Sequence, residues 1–344
     1  MFEGEVAPLR LGMLGLGFSH PFTFAKHLRD GVLRPAEGKA AGWRKARIEY
    51  IWDDDPARAQ SFAAEYGAKP AATPREILDA GVDAVLVETY NGERADYALP
   101  FLEAGVPTFI DKPICTRPAD LRAILDAARK HGTKLMSCSS LRFHPAVAVL
   151  RGLFANGALG TPLAARATTS HSVGSYMKEP NLWQDDVNQG GGTIVNMGIH
   201  GMEPLVGILG PDLVSVTCIA NKRHFTMSRS EDTALVTMRW ATGVMATLEI
   251  CSGTPVGGVG FAAYGSGGIV EIVENEVRHW GSKEPPEILP AARGYAPMLE
   301  AFFDLVRGGE VTVPLEDTTA VMLGLLAARK AAAERREVAL AEVA

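Results

Sequence analysis

The chain has 344 residues, 47% of them hydrophobic and 22% charged, and carries a net charge of −6. That length exceeds a typical single core and predicts two domains. The acidic balance gives no electrostatic reason to bind nucleic acid or an anionic membrane, so a small-molecule partner is expected. Four scattered cysteines, Cys115, Cys138, Cys218 and Cys251, show no CxxC pair and no metal-ligand spacing. They predict reduced thiols, a cytoplasmic location and no metal site. The N-terminal MFEGEVAPLRLG lacks the basic-then-apolar order of a signal peptide, and no apolar run reaches the length of a membrane span.

In chain order, LRLGMLGLG reads as a strand ending in glycines, and PFTFAKHLRD as a helix opened by Pro21. GVLRPAEGKAAGWRKA reads as an inserted loop. ARIEYIWD is a second strand that runs into Asp53, Asp54 and Asp55, and PARAQSFAAEYG is a helix from Pro56 to Gly67. VDAVLVET, RADYALPFLEAG, VPTFID, PADLRAILDAARKHG and TKLMSC continue the alternation of strand and helix. The pattern predicts an α/β fold with a doubly wound parallel sheet, whose ligand binds beyond the carboxyl ends of the strands.

The residues just after each strand are therefore the ones to inspect. Gly15-x-Gly17 permits a tight turn and close approach of a pyrophosphate to the next helix N-terminus. His20 stands where a third glycine is usual; it could contact phosphate or substrate, or cap the helix. Asp53 fits the acid that binds an adenosine ribose diol, while Asp55 could cap the helix at Pro56. Three carboxylates would repel a 2′-phosphate, so NAD is expected over NADP, with Arg58 keeping NADP open. Lys112 ends the fifth strand and Pro113 fixes the backbone behind it. On the residues alone a solvated lysine in a turn is the favoured reading.

From about Leu141 the pattern changes. RFHPAVAVLRGLFANGALG reads as a connecting helix. PLAARATTSHS, LVSVTCIANKR, DTALVTMRWATGVMATLEICSG and GGVGFAAYGSGGIVEIVENEVRHWG read as a glycine-punctuated meander. APMLEAFFDLVRGG and LEDTTAVMLGLLAARKAAAERRE are amphipathic helices. Between them GGGTIVNMGIHGME predicts a helix capped by Thr193, kinked at Pro204 and ending near Gly210. Asn196 and His200, four residues apart, would share one face of it. On spacing alone a hydrogen-bonded structural imidazole is the favoured reading of His200.

Taken in order, GLGFSH, WDDDPARA, VETYNGERADYALPFLEAGVPTFIDKP, RFHPAV, GALGTP and GGGTIVNMGIH resemble the Gfo/Idh/MocA family, over nearly the whole chain. The resemblance implies an N-terminal NAD(P)-binding Rossmann domain over residues 1–140. It implies a C-terminal α+β domain over 141–344 with a large, mostly antiparallel sheet. That sheet would mediate a homodimer or homotetramer, and a late helix could pack back on the first domain. The implied activity is hydride transfer between a nicotinamide and a secondary alcohol or ketone of a sugar, cyclitol or related polyol. The family also contains NAD-using lyases and glycosidases that oxidise transiently, and non-catalytic dinucleotide-binding regulators.

Residue by residue, the resemblance assigns the cofactor to Gly15, Gly17, Phe18, Ser19, His20, Asp53, Thr89, Asn91, Lys112 and Pro113. Asp111-Lys112-Pro113 matches the family's acid-Lys-Pro motif, with Asp for the usual Glu and a lysine–proline bond that is often cis. Arg94 stands where histidine is frequent. The catalytic set is Lys112, His200 as general base and Asn196 where the family carries aspartate. An amide cannot hold charge or accept a proton, so Glu203, Asp185 and Asp186 become candidate substitutes. Arg142, His144, His171 and Trp183 are candidate substrate contacts.

Overall fold

The computed structural model describes residues 7–30, 46–179, 181–273, 276–281, 287–290 and 296–344; the first six residues and nearly all of the expected insertion, residues 31–45, lie outside them. Strands β1 (Leu9–Leu14), β2 (Ala46–Trp52), β3 (Lys69–Pro70), β4 (Ala84–Val87), β5 (Thr108–Ile110) and β6 (Leu135–Met136) form one six-stranded sheet. All its pairings are parallel, in the order β3-β2-β1-β4-β5-β6. All four residues of β4, Ala-Val-Leu-Val, are buried, as expected of a parallel sheet covered on both faces. The strand order reverses between β1 and β4, which pair in register from Leu11↔Ala84 to Leu14↔Val87. Their carboxyl ends therefore open side by side at the switch point of a doubly wound sheet.

The intervening helices follow their local signals. Helix Pro56–Tyr66 begins with proline after Asp55, whose Oδ1 accepts from Ala57 N at 2.9 Å, and ends at Gly67 with φ +71°. Helices His20–Asp30, Arg94–Glu103 and Pro118–His131 lie where the alternation puts them. The two-residue β3 and helix Pro74–Asp79, which Thr73 caps, are additions that no periodicity announced.

The later strands are β7 (Pro162–Ser170), β8 (Leu213–Asn221), β9 (Thr233–Trp240), β10 (Met245–Cys251), β11 (Gly258–Gly265), β12 (Gly268–Val273), β13 (Glu276–Trp280), β14 (Glu287–Pro290) and β15 (Val338–Ala339). They form a nine-stranded sheet in the order β14-β13-β12-β11-β7-β10-β9-β8-β15, antiparallel except for the β7–β10 pair. In β9 the alternation is strict: Ala234, Val236, Met238 and Trp240 are buried, whereas Leu235, Thr237 and Arg239 face out. One face of this sheet packs against helices Ile199–Leu209 and Leu315–Glu334.

Two compact units emerge, neither continuous in sequence. The first takes the described residues of Met1–Asp111, Arg122–Ser137 and Tyr295–Pro314; the second takes those of Lys112–Leu121, Cys138–Gly294 and Leu315–Ala344. Helix Ala296–Val306 thus joins the first unit, where Phe302 lies 5.6 Å from the ring of Phe109. The last helix lies against β8 within the second unit. Among the described residues no helix is long and apolar enough to cross a membrane.

Candidate active site

In the first unit the chain leaves β1 through Gly15 at φ +96°, its N–H bonded to Trp52 O at 2.8 Å. A Cβ there would stand 2.6 Å from Glu88 O and 2.7 Å from Thr89 N, so glycine is what lets the turn lie on the end of β4. A Cβ at Gly17 would collide with the ring of Tyr90. Asp53, 4% exposed, accepts from Leu16 N at 2.6 Å through Oδ2 and from Asp55 N at 2.8 Å through Oδ1. Burial pushes its carboxyl above the usual range, while the Asp55 N–H and Arg58 pull it back. Arg58 donates to Asp53 Oδ1 at 2.8 Å and to Asp54 Oδ1 at 2.7 Å, so its guanidinium is already engaged by two carboxylates.

These groups line a cleft with Thr89 and Tyr90, flanked by Trp52 and Tyr97 with ring centroids 5.0 Å apart. The Thr89 hydroxyl is buried and has no hydrogen-bond partner among the described residues, although it lines that cleft. A glycine-only turn, a buried acid and an orphaned hydroxyl fit the adenosine and phosphate groups of a dinucleotide.

Around this cleft runs a network that sequence reasoning missed. Arg94 is fully buried and donates to Thr89 O at 3.1 Å, Asp111 O at 2.7 Å and Asp111 Oδ2 at 3.3 Å. Its guanidinium lies 5.6 Å from the Phe18 ring. A signal existed: a cation opening a helix opposes the helix dipole and must have a reason to be there. His20 Nδ1 lies 3.0 Å from Asp111 Oδ2, which ties the glycine turn to the end of β5. His20 is thus fixed to protein, while Ser19 is exposed, receiving Thr23 N at its carbonyl, and Asn91 is buried after β4. His20, Glu88 and Asp111 each bring one potential ligand atom within 4.8 Å of the others. Arg94 already supplies Asp111 with a cation.

In the second unit the Lys112–Pro113 bond is cis, as the resemblance implies. The segment that follows is anchored by Arg329, which donates to Thr116 O at 2.8 Å and Val187 O at 3.1 Å, and by Thr116 Oγ1 donating to Asn188 O at 2.6 Å. Lysine and the approach to the histidine helix are thereby joined. The pKa of His171, an exposed residue, is lowered first by partial desolvation and then by the charge of Lys112. Tyr176 lies 6.4 Å from the His171 ring, and its hydroxyl faces Met197 Sδ at 3.9 Å.

The expected single helix is two. Gly192–Asn196 and Ile199–Leu209 are separate, broken at Met197–Gly198, where Thr193 O receives both Met197 N and Gly198 N. Thr193 is not the cap. Gly191 holds that position at φ +94°, and Glu231 Oε1 accepts Ile194 N at 2.6 Å in its stead. At Gly198 a Cβ would meet Ile250 Cδ1 at 2.9 Å and Leu325 Cδ2 at 3.0 Å, so glycine lets these packing groups come close to the helix. Met197 and Gly198 keep right-handed helical backbone angles across the break. Asn196 is buried and donates to Gln184 Oε1 at 3.5 Å, whereas His200 Nδ1 lies 2.8 Å from Ser139 Oγ.

The candidate substitute acids are otherwise occupied. Asp185 receives Ser228 Oγ, Arg229 N at 2.7 Å, and Ser230 N and Oγ at 3.1 and 2.7 Å. Burial alone would raise its pKa, but these bonds hold it below the usual range. Asp186 receives Asn188 N, Gln189 N and Arg229 Nη1. Arg142 is 7% exposed, ion-paired with Asp317 and donating to Glu203 O at 3.4 Å. His144 is buried and its carbonyl receives Val147 N as helix Pro145–Ala155 begins. His171 is exposed, and Trp183 is partly exposed in the turn Asn181–Asp185.

Glu203, 1% exposed, has its pKa pushed up to about 8, chiefly by burial, against the pull of Arg142 and the Ser139 N–H. Its folded form keeps the proton to higher pH than the unfolded chain, so it favours folding at low pH. That contribution is lost as pH rises from the ordinary value near 4.5 to about 8. Glu203→Gln is therefore expected to match the native chain in urea unfolding near pH 5 and to exceed it above pH 8. Equal midpoints at both would show that the native carboxyl is not desolvated.

Comparison with known proteins gives a consistent answer. A family profile described as an oxidoreductase family with an NAD-binding Rossmann fold matches residues 9–138, and the Gfo/Idh/MocA C-terminal domain matches 147–271. A 1,5-anhydro-D-fructose reductase from Ensifer adhaerens is 26% identical over 75% of this chain and 74% of its own. An inositol 2-dehydrogenase from Ralstonia nicotianae is 26% identical over 78% of this chain and 81% of its own. A levoglucosan dehydrogenase solved with NADH and L-sorbose superposes with a TM-score of 0.83 at 18% identity, covering 97% of this chain and 99% of that one. With both halves of the chain matched and the glycine turn, buried Asp53 and cis Lys112–Pro113 in place, the chain belongs to the Gfo/Idh/MocA family of NAD-binding oxidoreductases.

Proposed function

We propose that this oxidoreductase moves a hydride between NAD and a secondary alcohol or ketone of a sugar, cyclitol or related polyol. The observation that carries the reading is an imidazole held in the same unit as the motif lysine: His200 Nδ1 lies 2.8 Å from Ser139 Oγ, and the Lys112 charge is felt at His171. When bound, NAD supplies the hydride acceptor; the protein supplies position and a place for the proton. His200 Nε2 takes the proton of the alcohol being oxidised, and Lys112 donates to the same oxygen as negative charge develops on it. Asn196 holds a neighbouring hydroxyl through its amide, with His171 and Trp183 lining the substrate. Gly15, Gly17, Phe18, Ser19, Asp53, Thr89 and Asn91 hold the cofactor, with His20, Lys112 and Pro113 completing the set. Asp53 keeps an Oδ2 lone pair for a ribose hydroxyl. Arg58, neutralised by Asp53 and Asp54, favours NAD over NADP.

The outer face of the nine-stranded sheet, with Leu163, Val214, Ile219, Leu235 and Met245 exposed, supports a homodimer or homotetramer through that face. The four free cysteines support a cytoplasmic location. Incubation with NAD and a panel of cyclitols, aldoses and ketose-derived polyols tests the activity. Net NADH accumulation with at least one member is expected. Turnover without net NADH would instead indicate transient oxidation, and NAD binding without turnover of any member would indicate a regulator.

A further inference from the structure

The cleft of the first unit holds more than a ribose and a diphosphate need: Trp52, Tyr90, Glu93 and Tyr97 complete its lining. Trp52 ends β2, and Tyr97 lies in the first turn of helix Arg94–Glu103, its ring 5.0 Å from that of Trp52 and tilted by 38°. Both rings are partly exposed, so an apolar platform opens on the cleft beside Asp53. Glu93 and Tyr97 are four residues apart at the start of the same helix and share its cleft-facing side.

The Glu93 carboxyl is not used by the fold. It stands at the N-cap, where an acceptor side chain ordinarily takes an N–H of the first turn, yet it makes no such bond. Among the described residues no donor reaches it. Arg58, the cation lining the same cleft, is held by Asp53 and Asp54 instead. Burial, and then the charges of Asp54 and Asp96, push the Glu93 carboxyl above the ordinary range, as expected of a carboxylate without a donor. Its charge is felt in turn at Tyr97, whose pKa is raised by burial first and by Glu93 next.

We infer that Glu93 is the residue that reads the adenine base of the cofactor: with the base laid on Trp52 and Tyr97, its carboxylate accepts a hydrogen bond from the exocyclic amino group. The inference rests on the placement of the adenosine ribose at Asp53 proposed above. Adenine offers a π face to the ring pair and an N–H donor at its six-position, which is the group the carboxylate lacks. A purine with a carbonyl at that position sets oxygen against oxygen. Glu93 thus rejects a hypoxanthine or guanine dinucleotide as well as strengthening NAD.

The test is calorimetric binding of NAD and of nicotinamide hypoxanthine dinucleotide to the intact chain at pH 8, to keep the carboxyl charged. The two ligands share every group except that edge of the base. The native protein is expected to prefer NAD by roughly 10–100-fold, the usual worth of a hydrogen bond to a charged group. Glu93→Ala should bring NAD down to the level of the analogue and leave the analogue no weaker. Glu93→Gln, whose amide can turn a donor toward the carbonyl, should also abolish the preference. Equal native affinities would overturn the inference. So would a loss on Glu93→Ala that is the same for both ligands, the mark of a merely structural role. Asp53→Asn separates this from the placement beneath it, because both ligands carry the ribose and both should weaken alike. Unchanged binding of both by Asp53→Asn would overturn that placement, whatever the base preference shows.

Discussion

His200→Ala is expected to lower kcat/KM for alcohol oxidation by about 10²–10⁴-fold near neutral pH, the usual worth of a positioned acid–base group. Oxidation leaves a proton on an alkoxide-like oxygen, and Nε2 of His200 is where the account puts it. The affinity for NAD should stay within a few-fold of native. The groups fitted to its adenosine half, Gly15, Gly17, Asp53 and Thr89, are carried by the turns after β1, β2 and β4, not by helix Ile199–Leu209. The loss should also shrink as pH rises, because a more basic solvent removes the proton without help. Initial rates of NADH formation across pH, with NAD binding measured by calorimetry, check all three statements. A variant with native kcat/KM at neutral pH would take His200 out of the chemistry.

Asp317→Ala is expected to cost about 3–5 kcal/mol of folding stability, since removing one member of a buried ion pair leaves the other charge uncompensated. Arg142 is the charge at stake: it lies inside the second unit, paired with Asp317 and in contact with the helix bearing His200. Even the glycine at 207 serves it, for a Cβ there would stand 2.7 Å from Arg142 Nη1. Glu203 sets the pH dependence. Its carboxyl ionises more readily once the repulsion of Asp317 is gone, and then partners Arg142. The penalty should therefore be smaller above pH 8 than near pH 5. Replacing both members, as Arg142→Met with Asp317→Leu, should recover most of the loss. Urea unfolding of the three variants measures this; a single-variant loss under about 1 kcal/mol would match a solvent-screened pair and contradict the burial described here.

Much of this architecture could be read from the chain. In the first half β1, β2, β4 and β5 run into Gly15, Asp53, Glu88 and Asp111, and the helices at Pro56 and Pro74 start with caps from Asp55 and Thr73, so local chemistry and global fold agree there. Gly15, Asp53 and Lys112 were legible for the same reason: they follow strand ends, where open parallel sheets put their ligands. The unread parts are those fixed by distant contacts. Ser139 and His200 are 61 residues apart and Arg94 and Asp111 are 17 apart, and nothing in either neighbourhood names the other. The break in the helix between Asn196 and His200 was not legible from their four-residue spacing. Packing of Ile250 and Leu325 against Gly198 and a cap borrowed from Glu231 settled that geometry instead. For Arg142 the neighbouring sequence names no partner, and only the fold reveals Asp317 beside it.

The most direct measurement is a crystal structure of the enzyme with NADH and a polyol that it turns over. The account predicts that the reacting alcohol oxygen lies within hydrogen-bond distance of both Lys112 Nζ and His200 Nε2, while His200 Nδ1 stays on Ser139. An alcohol oxygen that meets neither group, or a His200 ring turned so that Nδ1 faces the polyol, would contradict it.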